Sequence, residues 1–241
     1  MEWIEFSQLK SLGRVDCRSY LRTGGVSPPP FDSLNLATGV GDTDENVDAN
    51  LKSVKEQMGC QSLIWMNQVH GAQVYAIEKP PPWPIDCDGL TTATPGLALM
   101  VKHADCQPAI FYDPLHHAVA AVHCGWRGSV QNIYARAIEV MEREYGSHPS
   151  DLIVCIGPSI GPCHAEFVNY RQELPEEFWS FQIEPNHFDF WAISRKQLED
   201  AGVPSGQIEI AQRCTYSEPD HFFSYRRDKR TGRNATVVVL N

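Results

Sequence analysis

Histidine and cysteine at the ends of strands are the side chains best suited to bind a metal ion or attack a substrate. Three segments carry them. Asn67-Gln68-Val69-His70-Gly71 sets a histidine before a glycine in a tight turn between two β-rich runs. His103-Ala104-Asp105-Cys106-Gln107-Pro108 joins two apolar runs, and Pro108 withholds a backbone donor, so a bend is expected just after Cys106. His123-Cys124-Gly125-Trp126-Arg127-Gly128-Ser129 follows a buried-looking strand and leads into a helix. Two imidazoles and one thiolate (His70, Cys106, His123) make a three-ligand set for Zn²⁺ with an open fourth position, as in catalytic zinc sites. Copper accepts the same donors. A metal-free pair, with Cys106 as nucleophile and His123 or His70 as base, uses the same residues. The separations of 36 and 17 residues match no short-range metal motif, and nine histidines and eight cysteines allow other triples. Spacing therefore leaves these alternatives open.

The third segment has a second reading. A strand, a glycine-rich turn and a helix N-terminus form an anion-binding arrangement, because free N–H groups and the helix dipole favour negative charge. Ser129 is placed as the N-cap, and Arg127 adds a bidentate donor suited to phosphate or carboxylate. The glycines match neither a dinucleotide nor a P-loop fingerprint. Asp105, in apolar surroundings, requires a partner. Toward the C-terminus, Phe222-Phe223 suggests core packing. Tyr225-Arg226-Arg227 has the character of a pocket for an aromatic or anionic ligand. The other histidines, His103, His116, His117, His148, His164, His187 and His221, are read as surface or structural.

Three helices are predicted to position these turns, over 44–58, 129–145 and 189–201, from apolar residues at helical spacing and following glycines. Strands are predicted at 62–66, 72–77, 97–102, 108–112, 117–123, 151–156 and 234–240. Runs such as Ala-Val-Ala-Ala-Val and Thr-Val-Val-Val-Leu lack alternation, which implies strands buried on both faces. The expected fold is mixed α/β (α+β type), with mixed sheets layered between helices in a single domain over 1–241. Two proline-rich stretches, 28–30 and 80–84, read as rigid loops too short to be linkers.

A net charge of −10 and a pI near 5.3 disfavour nucleic-acid binding. No apolar stretch reaches membrane-spanning length, and the N-terminal ten residues lack a signal-peptide core. A cytoplasmic location and reduced thiols are the resulting expectations.

These segments together resemble the YfiH-like family, also described as the laccase-domain or polyphenol oxidase family and as purine nucleoside phosphorylases. The matching pieces are residues 24–36, 67–71, 104–108, 121–129, 156–167 and 213–233, in that order. The resemblance implies a metal site at His70, Cys106 and His123, and a fold similar to the catalytic domain of cytotoxic necrotizing factor toxins. It implies phosphorolysis of adenosine, inosine and methylthioadenosine, with adenosine deamination; copper-dependent oxidation of phenols is also ascribed to the family. Purine nucleosides and phosphate are then the expected partners, and Zn²⁺ the expected ion, with Cu²⁺ as the alternative. On this reading Arg127 and Ser129 hold phosphate, Asp105 relays a proton or orients a ligand, and Asn35 and Gln68 hydrogen-bond base or ribose. Arg226 joins the substrate pocket. The chain departs from the family pattern at His103, Gln107, Cys124 and His164; His103 and Cys124 adjoin the ligand triple and offer an additional donor. A multi-copper oxidase needs more histidines than this triple supplies.

Overall fold

The computed structural model describes residues 1–241. The first sheet has the order β1 (Trp3–Glu5), β2 (Val15–Tyr20), β13 (Asn234–Leu240), β6 (Leu97–His103) and β3 (Ser62–Trp65). Its pairs are antiparallel except β3 with β6. The second sheet runs β12 (Ile208–Ile210), β9 (Ile153–Ile156), β7 (Gln107–Asp113), β8 (Ala118–Cys124), β5 (Gly89–Thr92) and β4 (Val74–Ala76). Here the outer pairs are parallel and the inner ones antiparallel. A separate small hairpin joins β10 (Gln182–Glu184) and β11 (His187–Phe188). Of these strands, β1, β2, β5, β10, β11 and β12 were not anticipated; most are three or four residues long, too short to show a period.

The apolar runs are explained by strand alternation. In β8, Val119 and Ala121 face the first sheet, while Ala118, Ala120 and Val122 face the helical layer beyond. In β13, Val238 and Leu240 point between the sheets, and Ala235, Val237 and Val239 point to the other side. Both sheets are thus buried on both faces. Helix α2 (Asp44–Met58) covers the first sheet with Val54 and Met58. Helices α4 (Ile133–Tyr145) and α6 (Phe190–Asp200) cover the second. The result is a four-layer helix–sheet–sheet–helix arrangement, the mixed α/β fold expected. Short helices α1 (Ser7–Lys10), α5 (Tyr170–Glu173) and α7 (Tyr225–Asp228) sit in the connections.

Helix boundaries follow local chemistry. Thr43 accepts from the Asn46 N–H to start α2, and Gly59 at φ 61° ends it. The helix expected over 129–145 is divided. Helix α3 (Trp126–Val130) ends early, Asn132 adopts φ 51°, and its side chain accepts from the Ala135 N–H to start α4. Ser129 is therefore not an N-cap. It lies inside α3, with its N–H bonded to the Gly125 carbonyl.

Candidate active site

The chain passes from the first sheet to the second through Ala104-Asp105-Cys106, between β6 and β7. Asp105 sits at φ 98°, a conformation that disfavours any residue with a Cβ. Three contacts hold it: its carboxylate accepts from Thr215 Oγ1 at 2.7 Å and the Arg226 N–H at 2.6 Å, and its carbonyl accepts from the Ile160 N–H. This sharp turn fixes Cys106 at the start of β7. Pro108 is paired opposite His123 in β8, so the antiparallel register brings Cys106 and His123 to the same sheet end. His123 continues the inter-sheet row of Val119 and Ala121. Cys124, one residue on, belongs to the row that faces α4.

His70 arrives from the turn after β3, at φ 58°. A buried carboxylate that sequence reasoning missed, Asp88, organises this turn. It accepts from the backbone N–H groups of Gly71 at 2.6 Å, His70 at 3.0 Å and Val69 at 3.3 Å, and from His123 Nδ1 at 2.8 Å. One side chain therefore fixes the His70 loop and orients the His123 ring through Nδ1, which leaves Nε2 for Cys106. The available signal was Cys87-Asp88-Gly89 just before a strand, and nothing local connects it to His123, 35 residues away.

The donor atoms of His70, Cys106 and His123 lie within 4.8 Å of one another, and they form the one such group in the protein. Two imidazoles and a thiol this close suit a single borderline-soft ion. The two rings meet edge to face, with centroids 4.9 Å apart. Burial pushes the Cys106 thiol up, but the charges and hydrogen bonds of His123 and His70 outweigh it and hold the thiol below its ordinary range. Burial pulls His123 down, and the Cys106 thiolate and Asp88 outweigh it in the opposite direction. The thiolate is the form that ligates metal or attacks carbon.

Gly125 leaves room for this group: a Cβ there would lie 2.9 Å from His70 Nδ1 and 3.3 Å from Cys106 Sγ. Gly125→Ala is expected to fold and to bind divalent zinc roughly tenfold more weakly or worse, by analogy with losses of other supporting contacts. Zinc titration against a competing chelator measures this; unchanged affinity would show that the His70 side chain moves aside freely.

Two cavities meet at Cys106. One, of about 190 Å³, has mainly apolar walls including Trp126, Ile160, Phe167 and Phe190. The other, of about 550 Å³, is more polar and includes His70, Lys102, His103, His123 and Arg233. Ala104, Cys106 and Tyr225 line both.

The other expected site residues are placed variously. Asp105 lines the apolar cavity, but its oxygens are bonded to Thr215 and Arg226 and none reaches His70 or His123; the carboxylate that orients a histidine is Asp88. Arg226 lines the apolar cavity, with its guanidinium bonded to the His164 and Glu166 carbonyls. Gln68 lines the polar cavity, yet its amide is bonded at both atoms to the Lys102 backbone, so it fastens the His70 loop to β6. Asn35 is buried and spends its amide on Ala37, Asp42 and the Arg233 N–H; it lines neither cavity. Arg127 is exposed, lies over the Trp126 ring at 4.6 Å and lines neither cavity. Ser129 is buried with its hydroxyl on Gln197. The N-cap expected at Ser129 is corrected by the division of the helix, and neither Arg127 nor Ser129 lines either cavity. Neither departure residue joins the triple. Cys124 is buried with its thiol pushed up to about 12, chiefly by that burial, and His103 is held down to about 3 by burial and then by His123.

A four-layer α/β protein with a His–Cys–His group at the crossing between its sheets is the class this geometry defines. Residues 16–241 match the family described as multi-copper polyphenol oxidoreductase laccase. The chain is 34% identical to purine nucleoside phosphorylase YfiH of Shigella flexneri over 95% of this chain and 94% of that protein. It is 38% identical to a purine nucleoside phosphorylase of Mycobacterium tuberculosis over 91% and 89%. The crystal structure of YlmD from Geobacillus stearothermophilus superposes with a TM-score of 0.91 at 30% identity, covering 100% of this chain and 97% of that one. The YfiH protein of Bacillus licheniformis gives 0.90 at 29% identity, covering 99% and 96%. The chain belongs to this laccase-domain, YfiH-like family. No helix is long and apolar enough to cross a membrane.

Proposed function

We propose that this chain, acting as one catalytic domain, phosphorolyses purine nucleosides to free base and ribose 1-phosphate at the Cys106 junction. The observation that carries this reading is the meeting of two unlike cavities at that residue. Phosphorolysis requires the attacking phosphate and the departing base on opposite sides of the ribose C1′. A purine stacks against aromatic walls, and Trp126, Phe167 and Phe190 supply them on one side. The phosphate belongs on the polar side, and C1′ then lies beside Cys106 and Tyr225. A phosphate oxygen bonds to C1′ as the C1′–N9 bond breaks; the bonding pair leaves with the base, which takes up a proton. The names of the relatives support the same reading.

His70, Cys106 and His123 would hold the ion, zinc first and copper by the same donors. When bound, it supplies Lewis-acid charge at the junction. Asp88 keeps the His123 ring in one orientation, and the aromatic walls orient the base and exclude water. Adenosine, inosine and methylthioadenosine are the proposed substrates. Adenosine deamination, in which a water oxygen replaces the C6 amino group and ammonia leaves, is the accompanying activity.

The Asp88–His123–Cys106 sequence of contacts also favours a second reading, a metal-free hydrolase with Cys106 as nucleophile and His123 as base. Phenol oxidation in the manner of multi-copper enzymes is disfavoured by the single donor group. Product analysis after incubation with adenosine or inosine, with and without phosphate, tests these readings alongside metal analysis. Equal amounts of base and ribose 1-phosphate, formed only with phosphate, are expected. Base or ammonia release indifferent to phosphate, by protein lacking metal, would establish the hydrolase instead. Oxygen uptake with a phenol, confined to copper-loaded protein, would establish the oxidase.

A further inference from the structure

Lys102 and Arg233 stand beside one another on adjacent strands of the first sheet. In the β13–β6 register Lys102 faces Ala235, and Arg233 immediately precedes β13, so the two cations are diagonal neighbours on one face. Both line the polar cavity, together with His70, Cys106 and His123. Neither has a carboxylate within 4 Å, whereas most other arginines on the protein pair with an acid or with backbone carbonyls remote from the cavity. Arg233 bonds only the Thr231 and Gly232 carbonyls through its guanidinium, and the Lys102 ammonium lies 5.9 Å from the Trp65 ring centre. Both groups are partly withdrawn from solvent, and each titrates below its ordinary range; burial is the larger cause, and the charge of Arg233 adds to it at Lys102. Cys106, Asp105 and Tyr225 favour the charge of Arg233 from a distance, but no carboxylate touches either cation, so an anion entering the cavity would relieve the repulsion between the two.

We infer that Lys102 and Arg233 form the binding site for an inorganic phosphate dianion, on the opposite side of Cys106 from the aromatic cavity. The inference rests on the phosphorolytic reading only for its place in the reaction; the anion site itself stands on two cavity-lining cations with no carboxylate in contact. Arg233 supplies a planar fork that matches two phosphate oxygens, and Lys102 a point charge.

The test is titration of the folded protein with inorganic phosphate, followed by calorimetry and by thermal unfolding, for the parent chain, Lys102→Met, Arg233→Gln and Arg127→Ala. Lys102→Met and Arg233→Gln are expected to weaken phosphate binding about tenfold or more. Arg127→Ala is expected to leave it unchanged, and Arg233→Lys to restore part of it. If Arg233→Gln does not fold, Lys102→Met alone decides. Equal phosphate affinity in the parent and Lys102→Met proteins, loss in Arg127→Ala, or no phosphate binding by the parent would overturn the inference. So would binding of adenosine 5′-monophosphate with no binding of inorganic phosphate. Phosphate binding lost in the two cavity variants, in a protein that forms no ribose 1-phosphate, would refute phosphorolysis and leave the anion site standing.

Discussion

Cys106→Ala is expected to fold, to lose stoichiometric metal and to release ribose 1-phosphate from inosine at least about a thousandfold more slowly. Removing the thiolate takes away the only sulfur donor of the group and the charge that holds His123 protonated or metallated. The lost electrostatic stabilisation is of the several-kcal/mol size that a bound cation supplies, and about 4 kcal/mol corresponds to a thousandfold in rate. The fold should survive, since Cys106 is only half-buried and the turn around it is held by Asp105, Thr215, Arg226 and Ile160. Metal analysis by mass spectrometry and a phosphate-dependent product assay read the two effects separately. Turnover equal to that of the parent would remove Cys106 from the chemistry altogether. Full metal content with no turnover would instead favour the nucleophile reading.

Asp88→Ala should weaken zinc binding by about 10–100-fold and lower the unfolding temperature, even though Asp88 sits behind the histidines. The substitution strands the His123 Nδ1 proton in a buried place and removes the acceptor that the N–H groups of Val69, His70 and Gly71 share in a partly exposed turn. Each stranded buried donor costs about 1–3 kcal/mol. Asp88→Asn keeps the volume but turns an amide N–H₂ toward existing donors, so it should recover little. Burial raises the Asp88 carboxyl, but His123 and the backbone donors outweigh that and set it below the ordinary carboxylate value. A depressed folded value means that its stabilisation is fully present above the unfolded value, about 3.9, and fades as the pH falls through the lower folded one. A plot of unfolding free energy between pH 5 and 2 should therefore flatten in Asp88→Ala; parallel curves for the two proteins would contradict this account.

Much of the site was legible because it lies at the ends of regular elements. His123 and Cys106 flank strands whose apolar runs identify them, and the register of one antiparallel pair brings them together. Asp88 was not legible, because its partners are distant in sequence and the strand that follows it, Gly89–Thr92, is too short to carry a period. The helix start was misplaced for a local reason. Ser129 ahead of an apolar helical pattern has the residue type of a cap, but Asn132 in a left-handed conformation breaks the helix three residues later and caps it instead. Asn35 and Gln68 stand in recognisable motifs, and their motifs serve loop architecture: Asn35 ties the loop before α2 to Arg233, and Gln68 ties the His70 turn to β6. A polar residue in a motif reveals that something must be bonded, without revealing whether the partner is substrate or main chain.

The place of β13 has a consequence for how the molecule is made. It lies between β2 and β6 in the first sheet, pairing with both, although more than 130 residues separate it from β6 along the chain. A nascent polypeptide leaving the ribosome can pair β3 with β6 and β7 with β8 early, from contacts close in sequence. Its first sheet stays split until Leu240 has emerged, because the strand that joins the halves is made late. The ladder partner of His103 and the cation Arg233 arrive with that strand, so His70, Cys106 and His123 are all synthesised well before the polar cavity beside them can close. A chain arrested before Arg233 carries every residue of the His70–Cys106–His123 group but lacks one of the two cations proposed to bind phosphate, so the order of assembly follows from the strand order.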